Sequence, residues 1–127
     1  MQTVYYRTSS IAFSNQEWSK IKSYASWLVQ VHGADIEDRS DYNAYILNDE
    51  IHLIARGEQE TESFLLYQNG FEFDEGDEER GYNFSFCKTY GVQAFETVIL
   101  EILSYAKFVA PHVLLRFSAD NLGEVEE

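Results

Sequence analysis

Apolar positions along this chain recur with two different periods, and the period decides the element. "TVYYRT" is made of β-branched and aromatic residues, the composition of a half-buried strand, and predicts one over Thr3 to Thr8. From Trp18 the spacing changes. Trp18, Ile21, Ala25 and Leu28, with Tyr24 and Val31 beside them, fall on one side of a 3.6-residue period. Ser14 and Glu17 stand at the S-x-x-E spacing at which each side chain can satisfy the other residue's backbone N–H, and Phe13 and Trp18 are placed to clamp across that cap. A helix is predicted over 15–32, with Gly33 as its stop.

After an acidic connection, "ADIEDRSD", the runs "NAYIL" and "EIHLIA" flank Asn48 and Asp49, which suit a tight turn because they tolerate positive φ. "SFLLYQ" reads as a further strand, followed by the hairpin signal Asn69-Gly70 and by "FEF". In "GYNFSFC" the two-residue period sets Tyr82, Phe84 and Phe86 on one face, assigned to the core, and Asn83, Ser85 and Cys87 on the other, assigned outward. "VQAFETVILEILSYAKF" returns to the helical period, with Phe95, Val98, Ile99, Ile102, Leu103 and Ala106 on one broad stripe that ends before Pro111. "HVLLRFS" predicts a last strand. Two helices with one apolar stripe each are both buried if they lie on one face of a mostly antiparallel sheet. The expected fold is an α+β two-layer sandwich that resembles a ferredoxin-like plait with an extra hairpin.

Composition adds bounds. A chain of 127 residues that is 45% hydrophobic and 16% aromatic can build one core, so a single domain over 1–127 is expected, with a short acidic tail at 120–127. The lone cysteine, Cys87, precludes an internal disulfide framework and suits a reducing compartment. The longest apolar runs are cut by Glu96, Glu101, Pro111 and His112, well short of the roughly 20 residues that span a bilayer. "MQTVYYRTSS" lacks the basic start and apolar run of a secretory signal, so the cytoplasm is the expected location.

Charge changes the picture more. The formal net charge is −13, and residues 34–80 hold fifteen acids against three bases, whereas residues 1–33 hold one acid against three bases. Such a field repels nucleic acid and anionic membranes and speeds encounter with basic surfaces. A basic protein surface is the expected partner.

Candidate chemistry is sparse. Cys87 has no histidine or cation at a spacing that would lower its thiol pKa, so packing is its expected role. His32, His52 and His112 lack the spacing of a zinc site, and the acidic clusters at 35–41 and 74–79 lack the spaced ligands of a calcium loop. The seven glycines fall outside any phosphate-binding pattern. No catalytic residue, metal or cofactor is expected, and enzymatic activity is disfavoured.

Recognition remains. Glu58, Glu60 and Glu62 occupy alternate positions, so on a strand their carboxylates would form a row about 7 Å apart, and Asp74, Glu75, Asp77, Glu78 and Glu79 make a second acidic block. Alternating edge charge also guards a sheet against edge pairing, which gives the row a structural use. These eight residues are the expected docking site for a basic partner. A second surface is the sheet face turned away from the helices, where alternation gathers Tyr5, Arg7, His52, Ile54, Leu65, Tyr67, Leu114 and Arg116. Mixed apolar, aromatic and arginine side chains have the composition of an interface, and a homodimer is the candidate assembly there. The leading expectation is a small protein-binding module of inhibitor or immunity type. A homo-oligomeric structural domain, and a small-ligand-binding or enzymatic α+β domain, are the alternatives.

Overall fold

The computed structural model describes residues 3–40, 50–57, 62–68, 82–89 and 92–120, with the side chains of 82–84 and 120 left aside. In chain order the elements are β1 (Thr3–Ser9), α1 (Asn15–Val31), β2 (Ile36–Asp38), β3 (Glu50–Ala55), β4 (Phe64–Tyr67), β5 (Tyr82–Lys88), α2 (Gln93–Val109) and β6 (Leu114–Asp120). The fold is α+β. Among the described residues all strand pairs are antiparallel, and they make two three-stranded sheets, ordered β5-β1-β6 and β2-β3-β4. The central position of β1 between β5 and β6, with a helix following β1 and another following β5, is compatible with a ferredoxin-like variant.

Both helices form for the reasons legible in their sequences. Ser14 caps α1 through the full reciprocal box: its hydroxyl accepts from the Glu17 N–H at 3.1 Å, and its own N–H donates to the Glu17 carboxylate at 2.8 Å. The rings of Phe13 and Trp18 meet at 5.5 Å across the cap. α1 buries Trp18, Ile21, Ala25 and Leu28, and α2 buries Phe95, Val98, Ile99, Ile102, Leu103 and Ala106. The helices pack on each other, and α2 also covers β1 and β6. α1 ends at Val31 with His32 as its cap, one residue before Gly33, and the His32 carbonyl then accepts from the N–H groups of Asp35 and Ile36.

The stretch "NAYIL" and the turn at Asn48 and Asp49 lie outside the described residues, and on one side β3 pairs with β2, inside the stretch read as an acidic connection. Ile36 explains why: it is fully buried opposite Ala55, while its acidic neighbour Glu37 faces away. Arg56 holds this corner by donating to the carbonyls of Gly33 and Ile36 at 3.0 and 3.1 Å.

β4 joins the two sheets. Ahead of it, the Glu62 N–H donates to the Lys88 carbonyl and the Lys88 N–H donates to the Glu62 carboxylate, both at 3.0 Å. At its middle, the Tyr6 hydroxyl of β1 donates to the Leu65 carbonyl at 2.6 Å. Just beyond it, the Gln68 carbonyl accepts from the Phe13 N–H at 3.0 Å. One core results, with Val4, Tyr6, Ile51, Leu53, Phe64 and Leu66 of the sheets packed together with the helical stripes.

Two face assignments are corrected. In β5, Cys87 lies opposite Val4 and is fully buried, whereas Phe86 lies opposite Tyr5 and is 50% exposed. Phe86 is therefore an outer residue, and Cys87 takes the inner position. The side chains of Tyr82, Asn83 and Phe84 lie outside the described residues. In β6, Leu114 is fully buried rather than outward. The β1–β6 register slips between Arg7 and Thr8, so that Arg7 pairs with Arg116 but Thr8 pairs with Leu114, and Leu115 is the extra residue. Such a bulge breaks the strict alternation on which the outward assignment of Leu114 rested.

Denaturant unfolding checks these placements. Ile99→Ala is expected to cost about 2–5 kcal/mol, as large-to-small changes at a fully buried site do. Phe86→Ala should cost less than half as much, and the reverse order would put the Phe86 ring back in the core. Tyr6→Phe, which leaves the Leu65 carbonyl without its donor, should cost about 1–3 kcal/mol by the same measurement.

Candidate functional site

The outer face of the β5-β1-β6 sheet follows from the register. Tyr5 lies between Phe86 and Ser118, and Arg116 lies beside Arg7. The rings of Tyr5 and Phe86 stand 6.4 Å apart at 42°, a tilted aromatic pair. This face thus presents an aromatic pair next to two cross-strand arginines, all supplied by odd positions of β1 and their partners.

The other sheet's outer face is a separate surface. There Glu50 pairs with Tyr67, His52 with Leu65, and Ile54 with Glu37. Burial is the main reason the Tyr67 hydroxyl titrates above its ordinary range, and the neighbouring Glu50 carboxylate adds to the shift. The eight residues expected to share one sheet face are therefore divided. Tyr5, Arg7 and Arg116 are together on one sheet, His52, Ile54, Leu65 and Tyr67 are together on the other, and Leu114 is in the core.

Of the eight acids expected to dock a basic partner, Glu58, Glu60, Asp74, Glu75, Asp77, Glu78 and Glu79 lie outside the described residues. Glu62 is half-buried, and its carboxylate accepts from the Lys88 N–H, so it works as a clasp between β5 and the start of β4. Acids of the 35–41 cluster also have local duties. Asp38 accepts from the Ser40 N–H at 2.9 Å, and Glu37 pairs with Arg39 at 2.8 Å, a contact that holds the Glu37 carboxyl below the usual carboxylate range.

Among the described residues no group of three or more histidine, cysteine, aspartate or glutamate side chains could hold a metal ion. His32 caps α1, His52 sits in β3, and His112 lies 3.5 Å from Glu17. An open recess along α1 is lined by Ser19, Lys22, Ser23 and Ser26. No helix among the described residues is long and apolar enough to cross a membrane.

A further cluster was not anticipated from the sequence. On the solvent side of the helices, Tyr24 stacks on Trp27 at 6.1 Å and meets Tyr105 of α2 at 4.7 Å. Trp27 is 55% exposed, Val31 57% and Phe108 82%. The signal was present in the spacing: Trp27 and Phe108 fall off the buried stripes, in positions where a soluble helix ordinarily carries a polar residue.

No protein-family model matches the chain, and no curated protein and no solved structure matches it either. The surfaces themselves carry the functional argument.

Cys87 gives the clearest titration. Burial chiefly, and the Glu62 carboxylate in addition, push its thiol from 9.0 up to about 12. Because the folded value is the higher one, the unfolded chain releases this proton first. Its contribution to stability is full below pH 9 and is lost as pH rises toward about 12. Urea-unfolding midpoints should fall through that window, and Cys87→Ala should flatten part of the fall, while Tyr6 and Tyr67, whose hydroxyls burial also raises, contribute to the rest. A Cys87 thiol that reacts with a disulfide reagent at pH 8 as fast as an exposed cysteine would contradict this.

Proposed function

We propose that this chain is a small cytoplasmic protein-binding module of the inhibitor or immunity type, which captures a basic partner on the outer face of its β5-β1-β6 sheet. The observation that carries the reading is the half-exposed Phe86 beside Tyr5 on that face. Aromatic side chains are among the residues that most often anchor protein interfaces, because a rigid ring buries a large area while losing little freedom. A ring left half in water by the fold gains from a partner that covers it.

The charge divides the labour. Fifteen acids in residues 34–80 set up a long-range field that speeds the approach of a cationic surface, and the aromatic face then resists its departure. The single cysteine, buried and unpaired, fits a reducing compartment.

Passing host lysate over the immobilised full chain at low and high salt tests the reading. A basic protein should be retained at low salt and released at high salt. With that protein purified, Phe86→Ala should speed dissociation by about tenfold, as loss of an interface anchor does. The joint variant D74N, E75Q, D77N, E78Q and E79Q should instead slow association and leave dissociation nearly unchanged. Rates that neither variant alters would overturn the assignment.

A further inference from the structure

The solvent side of the helix layer is an exposed apolar seam with a charge at each end. At its centre the rings of Tyr24 and Tyr105 meet at 4.7 Å. α1 and α2 run in opposite directions, since Glu17 in the first turn of α1 reaches His112 just past the end of α2. Lys20 is one turn before Tyr24, and Glu101 is one turn before Tyr105, so they stand at opposite ends of the seam, each about 6 Å along it from the centre. Both are exposed, and neither is paired with another described residue. Trp27 lies at the Glu101 end and Phe108 at the Lys20 end.

We propose that this seam is the docking surface for a second copy of the chain. A two-fold axis in the plane of contact, crossing the seam at the Tyr24–Tyr105 pair, sets the Lys20 end of one copy over the Glu101 end of the other. Trp27 of each copy then faces the Phe108 end of its mate. Isologous contacts need a self-complementary patch, and opposite charges at the two ends of one apolar strip supply it.

The charge of the layer favours the same occupant. α1 carries Lys20 and Lys22 against Glu17, and α2 carries Lys107 against Glu96 and Glu101, so the layer is neutral in a chain of net charge −13. A cationic partner is drawn to the acidic middle segment. A second equally acidic copy meets the least repulsion where the acids are balanced, and there it also finds the largest exposed rings, Trp27 and Phe108.

Sedimentation velocity of the full chain over a range of concentrations tests the proposal. A dimer is expected for the natural sequence, and Trp27→Lys should raise its dissociation constant about tenfold or more. Lys20→Glu and Glu101→Lys should each weaken it, since each sets like charges face to face. The double reversal should restore it, an outcome that a damaged fold cannot produce. A natural sequence that stays monomeric at about millimolar concentration would overturn the proposal. So would a dimer that withstands Trp27→Lys, or one in which the double reversal fails to rescue the single ones. Because the seam is on the opposite layer from Phe86, partner capture can fail while the dimer stands, and the reverse.

Discussion

The fold depends on the way β4 is pinned between elements that would otherwise part. Among the described residues each sheet has three strands, and its apolar face has to be buried against another layer. The Tyr6 hydroxyl crosses from one sheet to the Leu65 carbonyl of the other, Glu62 clasps the end of β5, and Gln68 holds the loop that leads into α1. These are polar contacts, yet their main effect is on apolar packing. With β4 held, Phe64 packs 5.6 Å from the Tyr6 ring, and Cys87 is sealed beneath Glu62. A hydroxyl buried as deeply as that of Tyr6 is costly unless it is bonded, so the pairing of the sheets is specified as well as stabilised.

How much of this was legible depends on whether a sequence pattern had one reading or two. The helices had one: α1 joined a capping box and a staple to a continuous 3.6-residue stripe, α2 had the stripe alone, and both form within a residue of the expected limits. β5 had two. Its alternation separates Phe86 from Cys87 without saying which is inside, and the larger ring looked like the better core residue. The deciding fact is nonlocal: the register sets Cys87 opposite the buried Val4 and Phe86 opposite the outer-face Tyr5. Leu114 was misplaced for a different reason: the bulged residue, Leu115, turns Leu114 inward, and nothing in "VLLRF" marks which leucine is extra. Alternation alone placed Tyr5, Arg7 and Arg116 on one outer face. Phe86 was missed with its face, and the division into two sheets was not visible, since alternation reports a residue's side and not its neighbours.

Several of the described acids are tied to local partners, although Asp35 and Glu101 are exposed. Glu62 clasps a backbone, Asp38 turns the chain at Ser40, and Glu37 is paired with Arg39. A carboxylate that accepts a backbone N–H is stabilised by a local partner and contributes little to a docking patch, though its charge still adds to the long-range field. Net charge therefore speaks to the rate of encounter, while the place of docking has to be sought among rings that the core leaves uncovered.

Those rings lie on both sides of one core. Phe86 and Tyr5 occupy the outside of a sheet whose inside is packed under α2, and Trp27 and Phe108 occupy the outside of the helix layer. Neither group strengthens the isolated chain much, because a ring half in water keeps much of its cost of hydration. Their placement on opposite layers means that one surface can be occupied without blocking the other. Two copies joined through their helix layers would turn their Phe86 faces away from each other, presenting two binding sites from one rigid body. A partner with two matching sites would then be held more tightly than by either face alone, because the second contact forms within an assembly already joined. That gain requires the spacing between the faces to be fixed, and the interlocked cap, clasp and Tyr6–Leu65 bond are the contacts that fix it.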